Sequence, residues 1–97
     1  MKINAITITN KNGETEKIDL DGLFLSIGRS PATALFAGQI ELDESGYIVA
    51  DESTRTNIPG VFAVGDVRTK VLRQIVTAAA DGAVASHYIE QYIAENK

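Results

Sequence analysis

Apolar and polar positions alternate at the start of the chain. Ile3, Ala5 and Ile8 sit among polar residues and threonines, which is consistent with a half-exposed strand. Lys11-Asn12-Gly13-Glu14 supplies a turn, because Asn-Gly accepts positive φ at low cost, and Thr15 to Leu20 returns as the second strand of a hairpin. After Asp21-Gly22 comes Leu23-Phe24-Leu25-Ser26-Ile27, a nearly continuous apolar run that suits a strand covered on both faces. Gly28-Arg29-Ser30-Pro31 ends it, and Thr33 to Gly38 reads as a short helical turn. Ile40, Leu42, Tyr47 and Ile48 flank Asp43-Glu44-Ser45-Gly46 and predict a second hairpin. Asp51 to Pro59 is polar and loop-like, and Gly60-Val61-Phe62-Ala63-Val64-Gly65-Asp66 reads as a short buried strand ending in Gly-Asp.

Beyond that point the period changes. Leu72, Ile75, Val76, Ala79, Ala83, Ser86, Ile89 and Ile93 recur at steps of three and four, which predicts an amphipathic helix over Arg73 to Ala94. At about 1.5 Å per residue it would run roughly 33 Å. Ala78, Ala79, Ala80, Gly82, Ala83 and Ala85 keep its middle thin, so its axis can approach another backbone closely. The order of elements is that of an α/β protein, or α+β if the segment stands by itself: hairpins, a short buried strand, then a long C-terminal helix.

Composition narrows the chemistry. The 97 residues suffice for one small domain with a modest core. Apolar residues make up 44% and charged residues 23%, with a formal net charge of -4 and both signs interspersed. No basic patch points to nucleic acid, and no Lys/Arg cluster points to an anionic membrane. Cysteine is absent, so the sequence carries no disulfide, thiolate metal site or dithiol. No apolar run approaches ~18 residues, and the first ten residues lack the continuous apolar stretch of a signal peptide, so a cytoplasmic location is expected. The chain enters an alternating strand with no element before it, which suits a segment of a longer protein.

The most informative stretch joins the buried strand to the helix: Thr56-Asn57-Ile58-Pro59-Gly60-Val61-Phe62-Ala63-Val64-Gly65-Asp66, then Arg73-Gln74. Such a strand delivers a carboxylate at its C-terminal end, the usual ligand edge of an open α/β sheet. Gly65 lets a ligand or backbone come close. The first amides of the following helix lack intrahelical partners and can face an anion or an electron-rich ring. On the dipeptide alone, the ordinary alternative is that Gly65 turns the loop and Asp66 orders it. Elsewhere His87 stands alone within the helix, Tyr47, Tyr88 and Tyr92 read as packing residues, and no serine has a His-acid pattern beside it.

The long motif closely resembles the C-terminal flavin motif T-x-x-P-G-V-F-A-x-G-D of the two-dinucleotide-binding-domain reductases. The Arg-Gln start and the segment Thr77-Ala78-Ala79-Ala80-Asp81-Gly82 resemble the thioredoxin reductase branch. The resemblance covers essentially the whole chain. It implies the last strands of an NADPH-binding domain over residues 1–26, an interdomain crossover over 27–34 that acts as a hinge, and the C-terminal part of an FAD-binding domain over 35–97. It further implies that Asp66, beside Gly65, accepts a hydrogen bond from a ribityl hydroxyl of FAD. Arg73 and Gln74 would lie against the flavin, with the backbone amides of Gln74 and Ile75 toward its pyrimidine edge. An intact member moves hydride from NADPH to FAD and electrons onward through a dithiol to thioredoxin. This sequence holds neither a G-x-G-x-x-G phosphate cradle nor a Cys-x-x-Cys. By itself it is therefore expected to be inactive, to bind FAD weakly or not at all, and to self-associate as a homodimer or strand-exchanged oligomer. The alternatives are a segment of a related flavin reductase, such as the flavoprotein subunit of alkyl hydroperoxide reductase or a ferredoxin–NADP reductase of the same fold, or a non-catalytic self-associating domain.

Overall fold

The computed structural model describes residues 2–97. Its hairpin pairs β1 (Ala5–Thr9) with β2 (Thr15–Asp19) antiparallel, with Ile6 opposite Ile18 and Thr9 opposite Thr15. Asn10 closes the turn. Its Oδ1 accepts the amides of Asn12 at 2.9 Å and Glu14 at 3.0 Å, while Gly13 takes the positive φ of 82° that the turn requires. The expected hairpin and its Asn-Gly turn are realised, whereas the expected alternation of burial is not: beyond Ile6 both strands are exposed.

The run Leu23 to Ile27 departs from expectation. It forms no strand, and Phe24 is 97% and Ile27 93% exposed. A strand buried on both faces needs ladder partners at its edges and layers above and below. No described residue supplies them here. The hairpin accordingly touches neither the 3-10 turns nor the helix that follow. The molecule extends 65 Å along its longest axis with a radius of gyration of 20.1 Å, against about 12–13 Å for a compact chain of this length.

Residues 33–97 form the packed part. Thr33 is buried and donates its hydroxyl to the Gly46 carbonyl at 2.6 Å, and a 3-10 turn follows at Ala34–Phe36, where a short helical turn was expected. The second hairpin is reduced to one antiparallel bridge between Leu42 and Ile48, around a turn in which Asp43 Oδ1 accepts the amides of Ser45 and Tyr47. Ile48 then bridges in parallel to Arg68, and Arg55 bridges antiparallel to Phe62. The buried centre is small: Ile48, Ala50 and Ala63, with Ile40, Leu42 and Val67 packed against them. Gly60 to Val64, expected as a strand, contributes Ala63 to this centre and runs extended beside Thr54 to Thr56. It joins no longer ladder among the described residues.

Helix α1 (Ile75–Glu95) matches the expected helix within two residues at its start and one at its end. The face it buries differs. Asp81 and Ala85 are its buried residues, and Ala78, Tyr88 and Tyr92 continue that face at steps of three and four. Ala78 lies against Gly65, Arg55 stacks over Tyr88 at 4.7 Å, and Tyr92 meets Phe62 edge-on at 6.4 Å between centroids. The apolar stripe foreseen for burial stands open instead: Ile75, Val76, Ile89 and Ile93 are all exposed. Among the described residues no helix is both long and apolar enough to cross a membrane.

Candidate functional site

The Gly65–Val67 3-10 turn sits where the Gly60–Val64 segment meets α1. Gly65 is buried at φ 77°, a left-handed backbone that favours glycine, and an added Cβ would stand in ordinary contact, 3.5 Å from that of Ala78. Its amide donates to Asp81 Oδ2 at 2.8 Å. The following residue, Asp66, is exposed, and its carboxylate has no hydrogen bond or ion pair among the described residues.

Arg73 closes back over this turn. Its Nε donates to the Asp66 carbonyl and its Nη2 to the Arg68 carbonyl, both at 3.0 Å, and its guanidinium lies 3.7 Å from the centroid of the Tyr47 ring. Asp66, Val67, Arg73 and Tyr47 together face Arg29 to Ala32 across an open cavity of about 250 Å³. The walls combine a flat aromatic ring and small apolar groups with one free carboxylate and two guanidinium groups. A carboxylate accepts from hydroxyls, a guanidinium donates to carbonyl or anionic oxygens and nitrogens, and apolar walls pack ring faces.

Two expected residues lie outside this cavity. Gln74 caps α1, and its amide is already bonded to Thr77 Oγ1 at 2.9 Å. Ile75 opens the helix with its side chain almost wholly exposed. The Ile75 and Val76 amides carry no intrachain bond among the described residues, as the first turn of a helix dictates. The structure thus brings Asp66 and Arg73 together, packs Gly65 behind them, and leaves Gln74 and Ile75 beside the cavity rather than in it.

A second cluster was invisible in the motif. Asp81 accepts from Arg68 Nε at 2.7 Å, Arg68 Nη2 at 2.8 Å, Lys70 Nζ at 3.0 Å and the Gly65 amide. Arg68, only 1% exposed, also donates to the Thr69 carbonyl at 2.8 Å and to Glu52 at 3.2 Å. The fork of Arg68 holds the Asp81 carboxyl well below the usual carboxylate range. Burial opposes that shift, while Lys70 and the Gly65 amide reinforce it. The same bond holds Arg68 above its ordinary value against the cost of burial. The available signal was one acid within an Ala/Gly-rich helix, preceded by a loop with two cations, Arg68 and Lys70.

With the geometry in place, kinship is informative. The family model for pyridine nucleotide-disulphide oxidoreductases matches residues 2–82. The thioredoxin reductase of Peptoclostridium litorale is 55% identical over 74 residues, 76% of this chain and 24% of the relative. That of Listeria innocua is 46% identical over 97 residues, 99% of this chain and 30% of the relative. Among solved structures, Lactococcus lactis thioredoxin reductase in its FR conformation superposes with a TM-score of 0.83 at 40% identity, over 95% of this chain and 31% of that one. The chain therefore spans less than a third of the length of these relatives. It belongs to the pyridine nucleotide-disulphide oxidoreductase family, within which it is similar to a segment of thioredoxin reductase.

Proposed function

We propose that this chain supplies one wall of the flavin site in an NADPH- and FAD-dependent thioredoxin-disulphide reductase. The observation that carries the reading is the shared cavity of Asp66 and Arg73, in which the Asp66 carboxylate is free to accept a bond. The cavity's largely apolar walls, its free acceptor and the two arginines that line it suit an aromatic ring bearing a polyol. At about 250 Å³ it covers only part of a dinucleotide, so the remaining contacts belong to the rest of such an enzyme. When bound, FAD would accept hydride from NADPH and pass electrons toward a disulphide of thioredoxin.

The chain's own residues hold and bias that group. Asp66 accepts a hydroxyl hydrogen bond, and Tyr47 with Val67 offers packing surface. Arg73 and the free amides of Ile75 and Val76 set a positive field on the same side of the molecule, favouring the more negative reduced state of a flavin. In this reading residues 1–26 close an NADPH-binding domain, 27–34 cross between domains and 35–97 complete the FAD-binding domain, in a cytoplasmic enzyme. The exposure of Phe24, Leu25, Ile27 and the Ile75–Val76 pair supports it, because these surfaces need cover from further protein or from a second copy in a homodimer or strand exchange. The isolated chain is inactive and retains no flavin absorbance through gel filtration.

The direct test is FAD titration of the complete reductase carrying this segment, native and with Asp66→Ala. Loss of a bond to a charged acceptor, about 1.5–3 kcal/mol, weakens binding roughly 10- to 150-fold. Unchanged affinity would overturn the assignment.

A further inference from the structure

Arg73 reaches the cavity wall through two carbonyl oxygens, those of Asp66 and Arg68, each at 3.0 Å. Both belong to the turn that begins at Gly65, whose Val67 carbonyl accepts the Ile48 amide at 2.9 Å and whose two ends meet at one carboxylate. Asp81 accepts the Gly65 amide at 2.8 Å and both Nε and Nη2 of Arg68 at 2.7 and 2.8 Å. The carboxylate thus bonds the first and last residues of the four whose middle carries Asp66. It is 5% exposed and lies outside the cavity that Asp66 and Arg73 share. It makes no contact with an occupant of that cavity, and its hydrogen bonds reach the cavity wall through the turn.

The chemistry here is more specific than stability requires. A buried ion pair contributes no more stability than well-packed apolar residues of similar volume. A planar carboxylate with four donors does, however, define orientation: Oδ2 accepts from the Gly65 amide, Arg68 Nε and Lys70 Nζ, and Oδ1 from Arg68 Nη2, so turning it breaks bonds to three residues at once. We propose that Asp81 is a positioning residue for the cavity: it fixes the Gly65–Arg68 turn, so that the turn's carbonyls hold Arg73 over Tyr47 and Asp66 faces the same space. This deepens the flavin reading, and only the identity of the occupant depends on it.

The test uses Asp81→Glu, which keeps the charge that Arg68 and Lys70 need but lengthens the side chain by one methylene, and Asp81→Asn, which keeps the shape but removes the charge. In the chain itself, NMR would follow the Gly65 amide and the Arg73 Nε–H. In folded Asp81→Glu both resonances are expected to shift, and the Arg73 Nε–H to lose its protection from exchange. A purely structural Asp81 would lower the unfolding midpoint and leave the Arg73 signal of the folded fraction in place. In the flavin-loaded reductase, both variants are expected to weaken FAD binding roughly 10- to 100-fold, the scale on which outer partners act, and to lower the flavin reduction potential as Arg73 leaves its place. If Asp81→Asn does not fold, Asp81→Glu decides. Unchanged Gly65 and Arg73 signals in the folded chain overturn the positioning role whatever the cavity binds. A native reductase without flavin would instead sink the functional reading, and the NMR result would still stand.

Discussion

The face of α1 bearing Ala78, Asp81, Ala85, Tyr88 and Tyr92 meets the rest of the protein, whereas the face bearing Ile75, Val76, Ile89 and Ile93 meets solvent. Composition alone would have assigned these faces the other way round. The covered face docks because small residues let the helix come within 3.5 Å of where a Gly65 side chain would begin, and because Asp81 finds four donors there. Burying a large apolar side chain is worth about 1.5–3 kcal/mol, so the open face leaves substantial free energy unused. Close approach and charge matching decide which face this segment covers by itself, and the open hydrophobes await another surface.

The sharpest way to break that contrast is to remove the charge from the covered face. Asp81→Ala leaves Arg68 buried with only the exposed Glu52 carboxylate as anionic partner. Stranding a buried charge costs about 3–5 kcal/mol, a large part of what a chain this size has to spend. Urea unfolding followed by far-UV circular dichroism should show that loss, and a change below about 1 kcal/mol would mean the contact is incidental. Replacing both partners, as Asp81→Leu with Arg68→Met, should recover most of it.

Acid weakens the same face without a mutation. The folded Asp81 carboxyl titrates well below its ordinary value, chiefly because of Arg68. Between the two values the unfolded chain binds more protons than the folded one, so stability rises with pH through that window. The contribution is complete above the ordinary aspartate pKa of about 3.9 and drains away as pH falls toward the depressed folded value. Unfolding midpoints measured from pH ~5 downward should therefore fall steeply in the native chain, and more shallowly in the Asp81→Leu, Arg68→Met pair.

What the sequence disclosed follows the same division. Local signals were legible: the paired strands and Asn-Gly turn of the first hairpin, and the period and ends of α1. Asp66 and Arg73 stand out in the sequence through the resemblance of the long motif and its Arg-Gln sequel, and the structure sets both beside one cavity. Signals that depend on partners misled. Leu23 to Ile27 reads as a buried strand because its composition presumes neighbours that the described residues do not provide. The facing of α1 was hidden because hydrophobic periodicity counts Asp81 as a solvent residue, and only the three-dimensional approach of Arg68 and Lys70 reverses its sign.

The smallest expected effect on stability belongs to the open face, and it sharpens the comparison because it separates folding from association. Ile75 and Val76 are 92% and 71% exposed, so Ile75→Ser with Val76→Ser removes almost no burial from the chain itself. Substitutions at such positions stay within about 0.5 kcal/mol, and the urea midpoint should hardly move. Whatever covers this face should respond instead. If it pairs copies of the chain, the substituted protein should remain monomeric by light scattering at concentrations where the native chain associates, because each exposed isoleucine or valine withheld from an interface forgoes about 1.5–3 kcal/mol. Equal association by both proteins would place the contact elsewhere, and a large loss of folding stability would show that the open face contributes to the fold after all.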